Sequence, residues 1–516
     1  MPLWPLAIGA VLSTTPYEGD VTAAGGDYVV VDFAVPASTQ EIRISHSDGS
    51  SAVILDWGVW GPDGFRGWGG GNTEAIVIGV NESSRSYRIG PIQPGIWQLV
   101  IGKAQLDAGN GHYMVTVVCD SEPTLPVRAR VPFAPVALAS GRRWYKGDFH
   151  VHSTESGDAT ATIDQIVELA RSRGLDFVNL SDHNTDSQLP LAAAAQAAQT
   201  AQPGVLLLRG AEITTYAGHG NAVGLGAYVD HRIGLAGRTI GQVLDDVAAQ
   251  RAVFLVNHPT LDLGDACIGC AWAHPTTPWD KVTGMEIITG KWDVVERVFV
   301  PGAVALWDDL AAQGFRIAAV GGSDDHRAGA GTGLTDSQLG SPTTLVLADE
   351  LSEAAILEGL RRGRTIVQLR GPDDPRVDLR IGEAEIGDDV EDVAEAAIAV
   401  TIKGGAGTFV QLWRDGEKIA QAEVTTDASS HRFEDRPGAQ LRRYRVELVD
   451  GAGHRLVVTS HIYVHGVTDG GRGCGCASGG ASGGLGWLAG AALASLVGAR
   501  RRRGTDQTAA ATGRAA

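Results

Sequence analysis

Eight of the fourteen histidines in this 516-residue chain fall between His150 and His326, and their surroundings suggest metal chemistry. Imidazole is the usual ligand for zinc and its transition-series neighbours. His150 and His152 stand in Asp148-Phe-His-Val-His-Ser153; in a strand, residues i and i+2 face the same side, so both rings point one way. Asp182-His183-Asn184 follows an apolar run at 177–180, and Glu212 follows another at 205–208. His219 lies in Gly218-His-Gly-Asn221, His258 in Asn257-His-Pro259, and Asp324 and His326 in Gly322-Ser-Asp-Asp-His326. Mixed imidazole and carboxylate ligation suits Zn, Mn or Fe rather than Mg or Ca. Metal ions held by such groups lower the pKa of bound water, so the expected chemistry is metal-assisted hydrolysis. No Ser-His-Asp or Cys-His arrangement, P-loop or nucleotide fingerprint offers a rival.

Taken singly, each motif has an ordinary explanation. Asp-His can cap a helix, Asn-His-Pro can be a turn, and a buried Glu212 can pair with an arginine. Their order along the chain argues otherwise. From about 144 to 369, short apolar strands alternate with helical stretches: helices at 163–173, 191–201, 240–249 and 304–313, strands at 175–180, 205–208, 252–256 and 316–320. Such alternation predicts βα units in a parallel sheet or barrel, and about 225 residues suit a barrel. Each motif falls at or just past a strand's C-terminal end, the face on which barrel enzymes build their sites.

Hydrophobic residues make up 44% and charged residues 20%, a globular mix that excludes a disordered or coiled-coil protein. Lys plus Arg is 42 against 60 Asp plus Glu, a net charge of −18, which repels a phosphate backbone and argues against nucleic-acid binding. Residues 1–16 form a weak signal-like segment or the start of a strand. Strand-like runs at 17–120 predict an antiparallel β-sandwich, whose Trp- and Gly-rich segment 57–71 is either a ligand-facing loop or a packed aromatic corner. A Pro-rich linker at 121–143 leads to the αβ region at 144–370, and 371–466 predicts a second, Ig-like sandwich. A Gly-rich link at 467–476 then precedes 23 uncharged residues, 477–499, and the cluster Arg500–Arg503 in a tail that ends at 516. That length suffices to cross a bilayer, with the Arg cluster cytoplasmic and the body of the protein outside. Cys267-Ile-Gly-Cys270 lacks an obvious fourth zinc ligand, which favours a disulfide or thiol pair in an exported chain. Cys119 reads as a buried strand residue, and Arg209, Lys291 and Arg327 as surface ion-pair residues with the capacity to bind an anion.

The order HxH, DH, Glu, GH, HP and DxH resembles the PHP (polymerase and histidinol phosphatase) superfamily of metallohydrolases. The stretch Lys146-Gly-Asp-Phe-His-Val-His-Ser153, with Ser156-Gly-Asp158 and Leu180-Ser-Asp-His-Asn184, is most similar to its CehA/McbA branch. The resemblance spans 144–369 and implies a distorted (β/α)7 barrel holding two or three Zn, Mn or Fe ions. Carried over motif by motif, it implies that His150, His152, Glu212 and Asp324 hold one ion and that Glu212 bridges to a second held by His219 and His258. A third would sit on His183, His326 and an acidic residue, Asp158 or in reserve Glu155, because the family's Ser-Asp-Gly order here becomes Ser-Gly-Asp. The branch implies a phosphoesterase or a carboxyl or carbamate ester hydrolase acting on a small-molecule substrate, with a hydroxide bridging two ions as nucleophile and Asp324 to orient or deprotonate it. Gly-Cys-Gly-Cys at 473–476, the apolar stretch and the Arg cluster resemble the MYXO-CTERM sorting tail of myxobacterial surface proteins, which implies export and surface anchoring. Two other functions compete: an adhesion protein with a degenerate barrel, working through the Trp-rich segment, and a nuclease, which the net charge opposes.

Overall fold

The computed structural model describes residues 10–467, apart from 202–203, 265–266 and 334–335. Residues 1–9, Cys474, Cys476, the stretch 477–499 and Arg500–Arg503 lie outside the described residues. Among the described residues no helix is long and apolar enough to cross a membrane.

The molecule is multidomain and β-rich, with few helices. Its centre is a long sheet that runs through Ala318–Gly322, Gly284–Thr289, Val253–Val256, Gly218–Val223, Leu206–Thr215, Phe177–Leu180 and Ala137–Val151. Val253–Val256 is buried at every residue and reads as an unbroken apolar run; Phe177–Leu180 is equally buried but carries Asn179, whose amide donates to the Phe149 carbonyl (2.9 Å). Two of the helices between them start at capping boxes, Thr162 with Gln165 and Thr239 with Gln242, each of which satisfies two otherwise orphaned N–H groups. The second helix buries Ile240, Val243, Leu244 and Val247 against the sheet, each contributing about 1.5–3 kcal/mol. The first buries Ile166, Val167 and Ala170.

The sheet curls back on itself. Past Gly322, the Asp324 N–H donates to the His150 carbonyl (2.9 Å) and the His152 N–H to the Asp325 carbonyl (3.1 Å), so the last of these strands is joined to the one that carries the two histidines. Strict βα alternation fails at several places, and one of them shapes the site. The strand expected to stop at 208 continues to Thr215, turns through Tyr216-Ala217, and returns antiparallel as Gly218–Val223. Two residues can close a hairpin but cannot hold the crossover that a parallel neighbour needs. Glu212 and His219 therefore lie on adjacent strands, not in loops.

Val11–Thr22 opens a pair of four-stranded sheets formed by the chain up to Asp120, and this strand crosses the expected boundary at 16/17. The two sheets share one apolar core that includes Trp57, Trp97, Ile42 and Leu99. The long strand Ala137–Val151 begins inside the stretch expected to be a linker. At the other end the central sheet does not stop. Thr365–Gln368 pairs antiparallel with Arg455–Thr459, and the sheet continues through Leu441–Val449, Thr408–Arg414 and Glu417–Val424. The returning chain thereby satisfies the backbone groups of what would otherwise be an exposed edge. A four-stranded sheet containing Arg376–Ile381 and Ala396–Lys403 covers this extension over Leu379, Val400, Leu412 and Val446.

Candidate metal centre

All nine residues expected to bind metal converge. Glu212, on the hairpin strand, is the hub. Its Oε1 lies 3.3 Å from His150 Nε2, 3.6 Å from His219 Nδ1 and 3.5 Å from His258 Nε2. Its Oε2 lies 2.8 Å from His183 Nδ1 and 3.8 Å from His152 Nε2. Asp324 Oδ1 approaches His150 Nε2 (3.1 Å) and His152 Nε2 (3.2 Å). Asp158 Oδ2 sits 3.4 Å from both His183 Nε2 and His326 Nε2. Glu155, the reserve candidate, is engaged elsewhere: it accepts from the Ser86 N–H (3.1 Å) and Ser187 Oγ (2.7 Å) and pairs with Arg128.

In most of these rings the other nitrogen is already bonded. Glu286 Oε1 contacts His150 Nδ1 (2.9 Å), Ser156 Oγ contacts His152 Nδ1 (3.0 Å), the Ile268 carbonyl contacts His219 Nε2 (3.1 Å), the Cys270 carbonyl contacts His258 Nδ1 (3.1 Å) and the Asp324 carbonyl contacts His326 Nδ1 (2.8 Å). Each of these rings is held by one nitrogen while the other points inward, as metal-binding histidines are held. His150 Nε2 and His152 Nε2 are fully buried yet make no hydrogen bond. Buried polar atoms are rarely left so, and a cation would satisfy both. Among the described residues, four sets have ligand atoms within 4.8 Å of one another: His152 with His183 and His326; His219 with His258 and Cys270; His150 with His152 and Glu212; and His150 with His258 and Glu286. Cys270 is paired with Cys267 in a disulfide, so it offers no thiolate. The remaining donors, imidazole nitrogens and carboxylate oxygens, fit Zn, Mn or Fe.

The backbone here is bent to its task. Asn184 (φ 50°), His258 (φ 27°) and Asp324 (φ 58°) lie in the left-handed region, a strain that accumulates where side chains must be aimed. Gly322 has no room for a Cβ, which would collide with His150 Cβ and Glu286 Oε1.

The charges of the cluster lock together. Burial opposes charge on His150, but Asp324, Glu212 and Glu286 hold its pKa well above the ordinary value. Burial is likewise overcome at His183, by Asp158 and Glu212, and at His326, which Asp158 lifts to about 9. His152 goes the other way, to about 3, through burial and the neighbouring His326 and His183. Burial also takes His219 down to about 4 against the pull of Glu212. Burial would raise Glu212, Asp158 and Asp324, yet the imidazoles hold all three well below the usual carboxylate range.

Sequence reasoning missed three supporting carboxylates. Glu286 bonds both the His150 ring and the His258 N–H (2.8 Å). Asp148, one residue from the HxH motif, accepts from the His150 and Ser323 N–H groups (3.0 and 3.1 Å), and burial raises its pKa to about 6. Asp182 accepts from the Ser153 N–H (2.7 Å) and from Ser156 Oγ (3.1 Å), behind His152. A buried acid inside an apolar strand, as in Gly284-Met-Glu-Ile-Ile-Thr289, was the available signal for Glu286.

A cavity of about 720 Å³ opens on the cluster and is lined by Asp158, His183, Glu212, His219, His258, Asp324 and His326 among others. The three candidate anion-binding cations are not in its lining. Arg209 pairs with Glu353 (2.7 Å), Lys291 lies 3.7 Å from Asp293, and Arg327 lies 3.9 Å from Asp336. Trp57 is packed inside the N-terminal sheets, Trp60 is buried against Phe65, Trp68 and Tyr228 with Arg232 over its ring, and Cys119 is buried.

No protein-family model and no curated protein matches the sequence. Among solved structures, the chain is similar to a two-domain protein from Bacteroides vulgatus described as containing a predicted PHP-like metal-dependent phosphoesterase. That pair is 18% identical with a TM-score of 0.37, over 65% of this chain and 100% of that one. A protein from Bifidobacterium adolescentis, provisionally assigned as a metal-dependent phosphoesterase, is 18% identical over 37% of this chain and 91% of its own (TM-score 0.27). An amidohydrolase from Chromobacterium violaceum, with bound sulfate and no metal, is 15% identical over the same shares (TM-score 0.25).

Proposed function

We propose that the chain is a multinuclear metal-dependent hydrolase, a phosphoesterase of the PHP type and CehA/McbA branch. One observation carries this: a buried carboxylate, Glu212, within 2.8–3.8 Å of five imidazoles. So many convergent basic groups around one acid are costly to bury unless cations hold them together. His150, His152, Glu212 and Asp324 would hold one ion, His219 and His258 with Glu212 a second, and His183, His326 and Asp158 a third. Divalent ions at such sites activate water near neutral pH and neutralise ester oxygens. Glu286, Ser156 and the backbone carbonyls of Ile268 and Cys270 orient the rings. Asp324, whose side chain is 34% exposed where that of Glu212 is 1%, faces the cavity and would hold the proton lost by the attacking water. The strand order and the return of the sheet onto the His150 strand support a distorted (β/α)7 barrel with β-sandwiches on either side.

A carboxyl or carbamate ester is the second reading. It is favoured by the cavity lining, which among the described residues contains no Lys or Arg to meet an anion beyond the metals. Export, surface anchoring and membrane association belong to the proposal on the strength of the tail sequence alone, and cell fractionation tests them. For the chemistry, purified protein reconstituted with Mn or Zn is assayed against p-nitrophenyl phosphate, a phosphodiester, and carboxyl and carbamate esters. Hydrolysis of the phosphate ester, abolished by His150→Ala with His152→Ala, is expected. Cleavage of none of them by metal-loaded protein would contradict the proposal.

A further inference from the structure

The N-terminal sheets supply one wall of the cavity. Asp56, Trp68 and Asn72 line it together with Leu261 and Ile268, and with Tyr216 at the tip of the Glu212 hairpin. Tyr216 Oη donates to Asp56 Oδ2 at 2.6 Å. The meeting of these groups depends on Gly102, where a Cβ would collide with the Tyr216 hydroxyl and come within 3.1 Å of Asp56 Cβ and 3.2 Å of the Trp68 ring. Burial raises Asp56 to about 6, against the pull of the Tyr216 hydroxyl and of His183. Asp56 is held in orientation by Tyr216, in a lining that among the described residues has no basic side chain other than the candidate ligand histidines. A carboxylate beside two aromatic rings is suited to an amine or quaternary ammonium group.

We propose that Asp56 and Tyr216 determine specificity by receiving an alkylammonium group, and that the substrates are phosphate esters of amino alcohols. This rests on the phosphoesterase reading of the metal centre. The reaction breaks the bond between phosphorus and the amino-alcohol oxygen and adds the oxygen of water to phosphorus. The alcohol leaves with one of the water's protons. The cationic end remains on Asp56 while the phosphate is held at the metals. The N-terminal sheets then complete the substrate site.

The test pairs a cation with its uncharged carbon isostere. Binding of choline and of 3,3-dimethylbutan-1-ol to metal-loaded protein is measured by titration, independently of turnover. The kcat/KM values for choline phosphate and 3,3-dimethylbutyl phosphate are then compared. Both ratios should favour the cation by about tenfold or more and fall toward one in Asp56→Asn, with a smaller fall in Tyr216→Phe. Ratios near one in the wild type, or ratios that Asp56→Asn leaves unchanged, would overturn the proposal. A choline preference lost on Asp56→Asn without hydrolysis of any ester would uphold the cation site and fault the phosphoesterase reading instead.

Discussion

Two buried clusters of charge in this molecule look alike in composition and behave differently. One surrounds Arg445 in the C-terminal half. All three of its guanidinium nitrogens are paired, Nε and Nη2 with Asp308 (3.1 and 2.7 Å) and Nη1 with Glu447 (2.5 Å), and its guanidinium carbon lies 4.7 Å from the Trp413 ring centre. The other surrounds Glu212, where two buried imidazole nitrogens make no hydrogen bond and three residues sit at strained backbone angles. In the first, every nitrogen of the central guanidinium has a carboxylate partner, and the cluster joins the helix Val300–Ala312 to the extended sheet. The second is closed only on its outer side, where Glu286, Ser156 and backbone carbonyls hold the rings, and is open toward a cavity. A self-satisfied network stabilises a fold; one left short of partners at its centre is built for a ligand.

Substitutions should separate the two. Glu212→Gln removes the acid common to five histidines and should lower kcat/KM by at least about 10³-fold, the scale of losing a main electrostatic element, with metal content falling alongside; steady-state kinetics and elemental analysis check this. Arg445→Met takes the guanidinium from Asp308 and Glu447, which keep His461 (3.6 Å) and Arg455 (3.0 Å), and should cost about 3 kcal/mol in denaturant unfolding while metal content per folded chain holds. A loss of metal without a loss of stability in that variant would erase the distinction. Glu286→Gln keeps the shape but weakens the hold on His150, so metal affinity should drop about 10- to 100-fold in competition with a chelator.

The smallest effect comes from a buried histidine outside both clusters. His231 packs 4.5 Å from Trp68 between ring centres, and its Nδ1 lies 3.0 Å from the Tyr228 hydroxyl. Burial takes its pKa from 6.5 down to about 3, so the folded state binds fewer protons than the unfolded chain. Its contribution to stability is therefore complete above pH 6.5 and is lost as pH falls from there toward 3, about 1 kcal/mol by pH 5.5. Denaturant unfolding of chelator-treated protein at pH 7.5 and 5.5 should show that part of the difference disappear in His231→Phe.

The site was more legible than the architecture around it. HxH, DH and DxH announce themselves because imidazoles at strand ends have few structural uses, and order along the chain substitutes for position in space. Glu286 and Asp182 escaped notice because a supporting acid is defined by the atom it bonds, which spacing does not reveal. The hairpin at Tyr216-Ala217 was hidden because an apolar run does not say where a strand ends. Pairing of Thr365–Gln368 with Arg455–Thr459 joins residues about ninety positions apart, and the approach of Asp56 to Tyr216 spans 160. Local pattern carries no information about contacts at such distances, so neither the continuous sheet nor the N-terminal wall of the cavity could be read from it.

The central claim is that these histidines and acids form a cation site. Its most direct test is elemental analysis by mass spectrometry of the wild-type chain and of His150→Ala with His152→Ala, each dialysed after exposure to Zn and Mn. Two or three ions per wild-type chain and a clear loss in the double variant are predicted. Fewer than one ion per wild-type chain, or equal retention by the variant, would contradict the account.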